Sequence, residues 1–529
     1  MIAAQQIDSL DPQQMRQTLA SLLADVAAKD ERIQRQQREA AFKQALIDKL
    51  THEVAVLRRL KYAATSEKLR AGMSAEQKSL LEETLEADLA ELAREIEQLD
   101  LGSQAKAPDE KKQPRREVLP PDLPRREVHH EPENTICGCG CRMKRIGQDV
   151  AEKLDYQPGV FSVQRHIRGK WACAKCCKLV QAPVPAHVID KGLPTTGLLA
   201  QVLVAKYMDH LPLYRQEHIF GRAGMPVARS TLAAWVGECG ARLQPLAQAL
   251  AEELRRHAVL HADETPVAML EPGRGKTHRA YVWSYCTSAF NDTKAVVFDF
   301  AHSRSGEHVR GFLGLGEDGS WKGKLVTDDF SGYKACFELG VTEAGCMAHA
   351  RRKFHELWVH HKSLVGEQAL KFFTRLYDFE REAKNATADE RRRLRQRKSR
   401  RVAKVLHQWL LLQRQQVPDG SATARAIDYS LKRWQALVRF IDDGELPIDN
   451  NWVENQIRPI ALGRSNWLFA GSLRAGKRAA AVMSLLHSAR LNGHEPYAYL
   501  KDVLERLPTQ PHSRIQELLP HHWQPIASA

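Results

Sequence analysis

The chain has 529 residues, 43% hydrophobic and 27% charged, with 78 Lys and Arg against 64 Asp and Glu for a net charge of +14. Such a length exceeds what one core fills, so about three or four domains are expected, and the composition excludes a fibrous or wholly disordered chain. With no run of about 18 apolar residues to span a membrane and no secretion signal at the N-terminus, a cytoplasmic protein is expected, and its positive excess favours a polyanionic partner.

Residues 1–100 are expected to form a coiled-coil dimerisation helix. From residue 13 the segment has no proline and one glycine, Gly72, and apolar residues recur every seven positions at Leu19, Val26, Ile33, Ala40, Ile47 and Val54. A second column, Leu22, Leu50 and Leu57, is interrupted by Lys29, Gln36 and Lys43. Polar seam positions weaken a coiled coil while fixing its register, so a homodimer or higher oligomer is expected, with a helix packed on its own chain as the alternative. Residues 101–135 read as a Pro/Arg-rich linker, stiffened by prolines such as Pro120, Pro121 and Pro124.

Six of the ten cysteines crowd between residues 137 and 177, which suits a metal site better than a disulfide framework. Residues 136–190 are therefore expected to form a zinc-ribbon-like module. Cys173 and Cys176 have the two-residue gap usual for zinc; the other pair is any two of Cys137, Cys139 and Cys141. Residues 191–256 are expected to be helical, with a turn at Ala223-Gly224 and a helix starting near Ser230 as N-cap. That order allows a helix-turn-helix DNA reader, although glycine-joined helix pairs occur in any helical domain.

From residue 257 the texture turns strand-like. Ala258–Pro266, Arg279–Tyr285 and Ala295–Phe300 read as strands, 305–313 as a helix, Lys324–Thr327 as a fourth strand and 341–347 as a fifth. Three strands, a helix and a strand ending in acid match an RNase H-like sheet over 257–359. Neighbouring parallel strands in such a sheet bring terminal carboxylates together, as hard divalent cations require. Asp263 and Asp328 end their strands, and Glu454, on a late helix, is the candidate third acid. Arg458 lies one helical turn beyond it, placed to meet a phosphate. Asp299, Asp329 and Glu264 are nearby decoys, and Glu264 should face away from Asp263 on the strand. The bland reading of the trio is turn and cap residues.

These residues carry a resemblance over nearly the whole chain. Tyr62–Leu69 ending the coiled coil, Leu119–Arg125, Ile146–Val150 and His210–Gln216 are joined by His261-Ala262-Asp263-Glu264-Thr265-Pro266 and Thr327–Tyr333. Cys346-Met347-Ala348-His349-Ala350-Arg351-Arg352-Lys353-Phe354, Asn450–Pro459 and Gly463–Ser472 follow in order. In these motifs the chain resembles the insertion-sequence-66 (IS-66) family of bacterial DDE transposases.

The resemblance implies a multidomain α+β protein: N-terminal coiled coil, zinc-ribbon-like module, helical DNA-binding segment, and an RNase H-like α/β catalytic core with a helical insertion. It implies that Asp263, Asp328 and Glu454 are catalytic and hold Mg2+ (or Mn2+), with structural Zn2+ on the cysteines. About 65 residues separate the first two acids and about 125 the next two, so residues 360–445 would be a basic helical insertion. Residues 446–480 would return to the core, and 481–529 form a C-terminal helical tail.

The implied activity is divalent-metal-dependent strand cleavage followed by transfer of a DNA 3′-hydroxyl. A cytoplasmic, nucleoid-associated protein would act on the element's terminal inverted repeats and on target DNA, with accessory proteins of the same element as further partners. His349, Arg351, Arg352, Arg458, Arg464 and Lys477 are the candidate DNA contacts. Two departures from the family pattern are the spacing of the first cysteine pair and Asp329, which stands where glycine is common. The rival functions are a non-catalytic, zinc-containing, sequence-specific DNA-binding protein and an RNase H-like nuclease without strand transfer.

Overall fold

The computed structural model describes residues 12–64, 75–100, 119, 121, 123–132, 134–157, 159–189, 192–271, 277–316 and 321–525. The chain divides into two units, one holding residues 1–66 and 92–114, the other 67–91 and 115–529. In the first unit α1 spans Pro12–Ala64. Along its seam Ile33 is exposed, Ile47, Val54 and Leu57 are half-buried, and Leu50 is buried. Leu19, Leu22 and Val26 lie outside the described side chains, and residues 65–74 with Gly72 lie outside the described residues, as does 101–118 of the expected linker. A second helix, α2, covers Ala75–Asp100.

Within the second unit, the 75–91 stretch of α2 is anchored by charge. Asp88 and Glu91 flank the buried guanidinium of Arg478, Asp88 at 3.0 Å, and Glu83 pairs with Lys206. Next comes a four-stranded sheet: β1 (Arg125–His130), β2 (Lys144–Gln157), β3 (Val160–Ala172) and β4 (Leu179–Gln181), in the order β1-β3-β2 with β4 also on β3. The end of the expected linker is thus a strand, because Arg125–His130 pair in parallel with Val163–Arg168. Strands β2 and β3 form a long antiparallel hairpin turning at Gly159, whose φ of 89° suits glycine.

Three helices follow: α3 (Thr196–Tyr207), α4 (Leu213–Arg222) and α5 (Arg229–Leu254). Gly224 makes the turn between α4 and α5 at φ 84°. The N-cap of α5 is Ala228, not Ser230, and it offers no side chain. Instead Glu217 reaches across from α4 and accepts from the Arg229 N–H at 3.0 Å, satisfying an orphan donor of the first turn. Much of α5 is buried, from Leu232 to Leu254.

The central sheet comprises β5 (Val259–Leu270), β6 (Thr277–Thr287), β7 (Val296–Ala301), β8 (Lys324–Thr327) and β9 (Thr342–Gly345) in the order β7-β6-β5-β8-β9. The β5-β6 and β6-β7 pairs are antiparallel; β5-β8 and β8-β9 are parallel. Helix α6 (Gly306–Leu313), N-capped by Ser305, and the short α7 (Lys334–Glu338) bracket β8 in sequence. After β9 run α8 (Met347–His361), α9 (Leu364–Glu382), α10 (Ala388–Arg397), α11 (Ser399–Gln415), α12 (Ala422–Lys432) and α13 (Trp434–Val438). Phe354, Phe373, Leu406, Leu410 and Phe440 join Val259 and Val326 of the sheet in one apolar cluster.

The chain closes with α14 (Asn451–Trp467), α15 (Leu473–Leu491) and α16 (Pro496–Arg506). Helix α15 runs through the expected boundary at residue 480 and covers the outer edge of β7. Its Ser488 and Ser484 hydroxyls accept from the Val296 and Phe298 N–H groups at 2.9 and 2.8 Å, so the edge offers fewer free donors to another strand. Gly476 allows this closeness, since a Cβ there would lie 2.2 Å from the Phe300 ring. Among the described residues no helix is long and apolar enough to cross a membrane.

Candidate functional site: a carboxylate cluster at the sheet ends

The parallel register of the sheet sets the acids side by side. His261 of β5 pairs with Val326 of β8, and two residues further along the same register bring Asp263 level with Asp328. Thr327 pairs with Gly345, so Cys346, just past β9, is level with Asp328 on its other side. Asp328 turns the chain as well, accepting from the Phe330 N–H at 2.9 Å.

Glu454 arrives on the first turn of α14, and Asn450 sets that helix down. Its side chain is fully buried, accepts from His261 Nδ1 at 2.8 Å and donates to the Ala262 carbonyl at 2.9 Å. Its backbone N–H donates to Cys346 Sγ at 3.2 Å, and its carbonyl accepts from the Glu454 N–H. One residue therefore touches the strand carrying Asp263, the end of β9 and the helix carrying Glu454. Tyr377 of α9 secures the approach by donating to Asp449 at 2.7 Å, and Trp452 donates to the Thr287 carbonyl.

The electrostatics follow from crowding. Burial, then the charges of Glu264, Asp328 and Glu454, pushes the Asp263 carboxyl up to about 8. An acid held protonated near neutral pH by burial and three neighbouring carboxylates sits in a crowded set of oxygen donors, which suits a hard divalent ion. Glu264 does not face this cluster freely: it accepts from Tyr333 Oη at 2.7 Å and from Arg304 Nε at 2.8 Å, and burial raises it. Asp329 pairs with Arg433 at 3.5 Å and lines the same cleft as Asp328. Asp299 sits on β7 near Lys477, and burial raises it.

A cleft lined by Arg304, Asp328, His349, Arg352, Lys353 and Tyr429 opens beside the acids. Arg352 lies 3.6 Å from Glu454 Oε2, and His349 lies 3.7 Å from Glu454 Oε1. Arg351 and Arg458 are exposed, as is Lys477, although Lys477 belongs to the β7 side. Arg464 is engaged with the carbonyl of Pro266, holding α14 to β5. In the helical pair, Arg229 at the start of α5 is held by Ser79 and Glu82, leaving Ser230 and Thr231 exposed there. Arg304, Asn450 and Tyr333 were not singled out by sequence. Asn450 and Tyr333 each stood in a motif beside an acid; Arg304 carried no local signal and meets Glu264 from 40 residues away.

The cysteines converge because the β2-β3 hairpin does. Lys144 pairs with Ala172, so the turns 137–141 and 173–177 meet at one end of the hairpin. Cys137, Cys139, Cys173 and Cys176 place their sulfurs within 4.8 Å of one another. Cys137 and Cys176 approach to 2.9 Å and Cys139 and Cys173 to 3.7 Å. Cys141 instead packs against the small apolar cluster under the turn, and its carbonyl accepts from the Cys137 N–H. The Cys173 thiol is drawn down to about 6, chiefly by the Cys176 backbone N–H. Four convergent thiols with preorganised amides suit a tetrahedral zinc ion.

Residues 191–478 match the model of the transposase IS66 family, and residues 484–521 match the IS66 C-terminal element. Residues 134–177 match the zinc-finger binding domain of transposase IS66, and the four-cysteine cluster inside it supports a structural zinc. Residues 49–128 match a model described as transposase C of IS166 homeodomain. Similar proteins include uncharacterized proteins y4qI and y4hP of Sinorhizobium fredii (strain NBRC 101917 / NGR234). The first is 36% identical over 91% of this chain and 90% of its own length; the second is 33% identical over 88% of each.

Proposed function

Because the chain belongs to the transposase IS66 family, we propose that it cuts the ends of an insertion sequence and joins them to target DNA at the Asp263–Asp328–Glu454 cluster. The convergence of these three carboxylates, from two adjacent parallel strands and a later helix, carries the reading. The sheet order, with β6 alone running against the other four strands, supports an RNase H-like core.

Bound Mg2+ or Mn2+ would supply Lewis-acid activation of the attacking oxygen and stabilise the leaving oxygen. Asp263, whose carboxyl feels the charges of both other acids, would hold the metal together with Asp328 and Glu454. Asn450 ties the strand carrying Asp263 to the helix carrying Glu454. Arg352 and Lys353, lining the cleft, would meet a DNA phosphate there, and exposed Arg351 and Arg458 would extend that surface. In the first step water attacks a phosphodiester and frees a 3′-hydroxyl. In the second that hydroxyl oxygen bonds to a target phosphorus and displaces the target strand's 3′-oxygen, which takes up a proton. No side-chain nucleophile takes part.

The test is cleavage and joining of DNA carrying the element's own ends in Mg2+, comparing wild type with Glu454→Gln. Wild type cuts and joins, while Glu454→Gln binds the ends and loses turnover by about 100-fold or more. Cutting that survives in Glu454→Gln removes the third ligand from this assignment. Cutting without joining favours a nuclease, and binding without cutting in both proteins, even with the element's accessory proteins added, favours a non-catalytic DNA-binding protein.

A further inference from the structure

Beside the oxygen cluster lies a second set of donors of different character. Cys346 Sγ, a His349 ring nitrogen and a Glu454 carboxylate oxygen all fall within 4.8 Å of one another. Among the described residues the only other such group is the four-cysteine cluster. Two of these atoms are unsatisfied: His349 Nδ1 and Glu454 Oε1 are buried, 3.7 Å apart, and neither has a hydrogen-bond partner. That separation exceeds a hydrogen bond, and leaving two buried polar atoms unpaired is costly unless something comes between them.

The local chain explains why a thiol joins them. Cys346 is the N-cap of α8, and His349 follows on the first turn, a spacing that points both side chains the same way. Cys346 Sγ receives the Asn450 N–H at 3.2 Å; burial pushes its thiol up to about 12, so it would ligate by giving up its proton to the incoming cation. Sulfur, imidazole nitrogen and one carboxylate oxygen form a mixed set suited to a borderline-soft ion, with a fourth position left for water.

We propose that Cys346, His349 and Glu454 form a binding site for a zinc-class divalent cation, distinct from the four-cysteine cluster and adjoining the Asp263–Asp328 oxygens. The two sites share Glu454: its Oε1 faces His349 and its Oε2 faces Arg352. A soft ion at Cys346 holds the carboxylate toward α8, so it competes with any hard ion that needs the same group. The proposal does not depend on transposition and is read by metal binding alone.

The experiment uses the full chain, reduced, stripped of metal and dialysed against a slight excess of Zn2+, with bound metal counted per chain. Wild type holds about two zinc ions, and Cys346→Ser and His349→Ala each hold about one. Cobalt in place of zinc gives a thiolate charge-transfer band, part of which disappears in Cys346→Ser. Because Cys346 is buried, the more exposed His349→Ala guards against a folding defect, and circular dichroism checks both variants. Equal zinc content in wild type and a folded His349→Ala protein overturns the proposal, as does a cobalt band unchanged by Cys346→Ser.

Discussion

Asp263 must lose a proton before it can serve a metal, and its surroundings oppose that. With its carboxyl pushed from 3.8 to about 8, chiefly by burial, the folded chain holds a proton that the unfolded chain has released. Between about pH 4 and pH 8 the unfolded state therefore binds fewer protons, so stability falls as pH rises through this window. Asp263→Asn removes the slope. In buffer without added magnesium or manganese it should match wild type near pH 4 and exceed it at pH 8.5 by on the order of 3 kcal/mol, less whatever solvent screening removes. Urea melts at the two pH values check this, and millimolar Mg2+ should close the gap by stabilising wild type alone.

Asp328 stands just past the run of strand-forming residues that marks it in the sequence, a local feature, whereas Asp263, expected at a strand end, lies inside β5, which runs on to Leu270 in its pairing with β6. Asn450, His261 and Arg304 do their work through partners 40 to 189 residues distant, which no window of sequence displays. Glu264 was expected to turn away from Asp263; its carboxylate is indeed taken by Tyr333 and Arg304, yet its charge still raises Asp263.

At the scale of elements, the hairpin of β2 and β3 decides which cysteines can share an ion. Spacing left three candidates for the first pair; the fold brings Cys137 and Cys139 to Cys173 and Cys176 and keeps Cys141 in the packing beneath. Cys141→Ser and Cys177→Ser should therefore keep the structural zinc, whereas Cys137→Ser and Cys139→Ser lose it, as counted by metal analysis after dialysis. The strand at Arg125–His130 was hidden because its apolar content is a single valine between charged and histidine residues. It is stabilised by pairing with β3, not by its own pattern.

The arginine run of α10 and α11 divides into two kinds of residue. Arg391 and Arg395 share a face one turn apart and are buried, while Arg393, Arg397 and Arg401 are exposed. Arg395 donates to the carbonyls of Phe440, Asp443 and Leu446 at 2.8 to 2.9 Å and forms two bonds to Glu380. It thereby holds the segment that leads into Asn450 and Glu454. Arg395→Met leaves Glu380 and three carbonyls without a donor and should cost about 3–5 kcal/mol, measured by denaturant melts. From sequence the run reads simply as a basic surface, because charge says nothing of which side of a helix faces inward.

At the scale of the whole chain, the two units carry different expectations. Helix α1 is long, with Ile33 and Phe42 exposed along it, and side chains of that kind on a helix call for a partner surface. We expect a second copy of this chain to provide it. Sedimentation of the full protein should give a dimer or larger species, and removal of residues 1–64 should give a monomer that retains its zinc.

The helices between β9 and α14 leave and return at one point. The Met347 N–H donates to the Ile448 carbonyl at 3.1 Å, and the Asn450 N–H to Cys346 Sγ, so about 100 residues are closed into a loop by two bonds at its base. Polymer statistics make such a loop indifferent to its own length: doubling it adds only about 0.6 kcal/mol of closure entropy. The exposed turn at Pro418-Asp419-Gly420, where Gly420 takes a φ of 74°, is thus a natural splice point. A foreign domain or fluorescent tag grafted at this exposed turn should leave the two bonds at the loop's base intact.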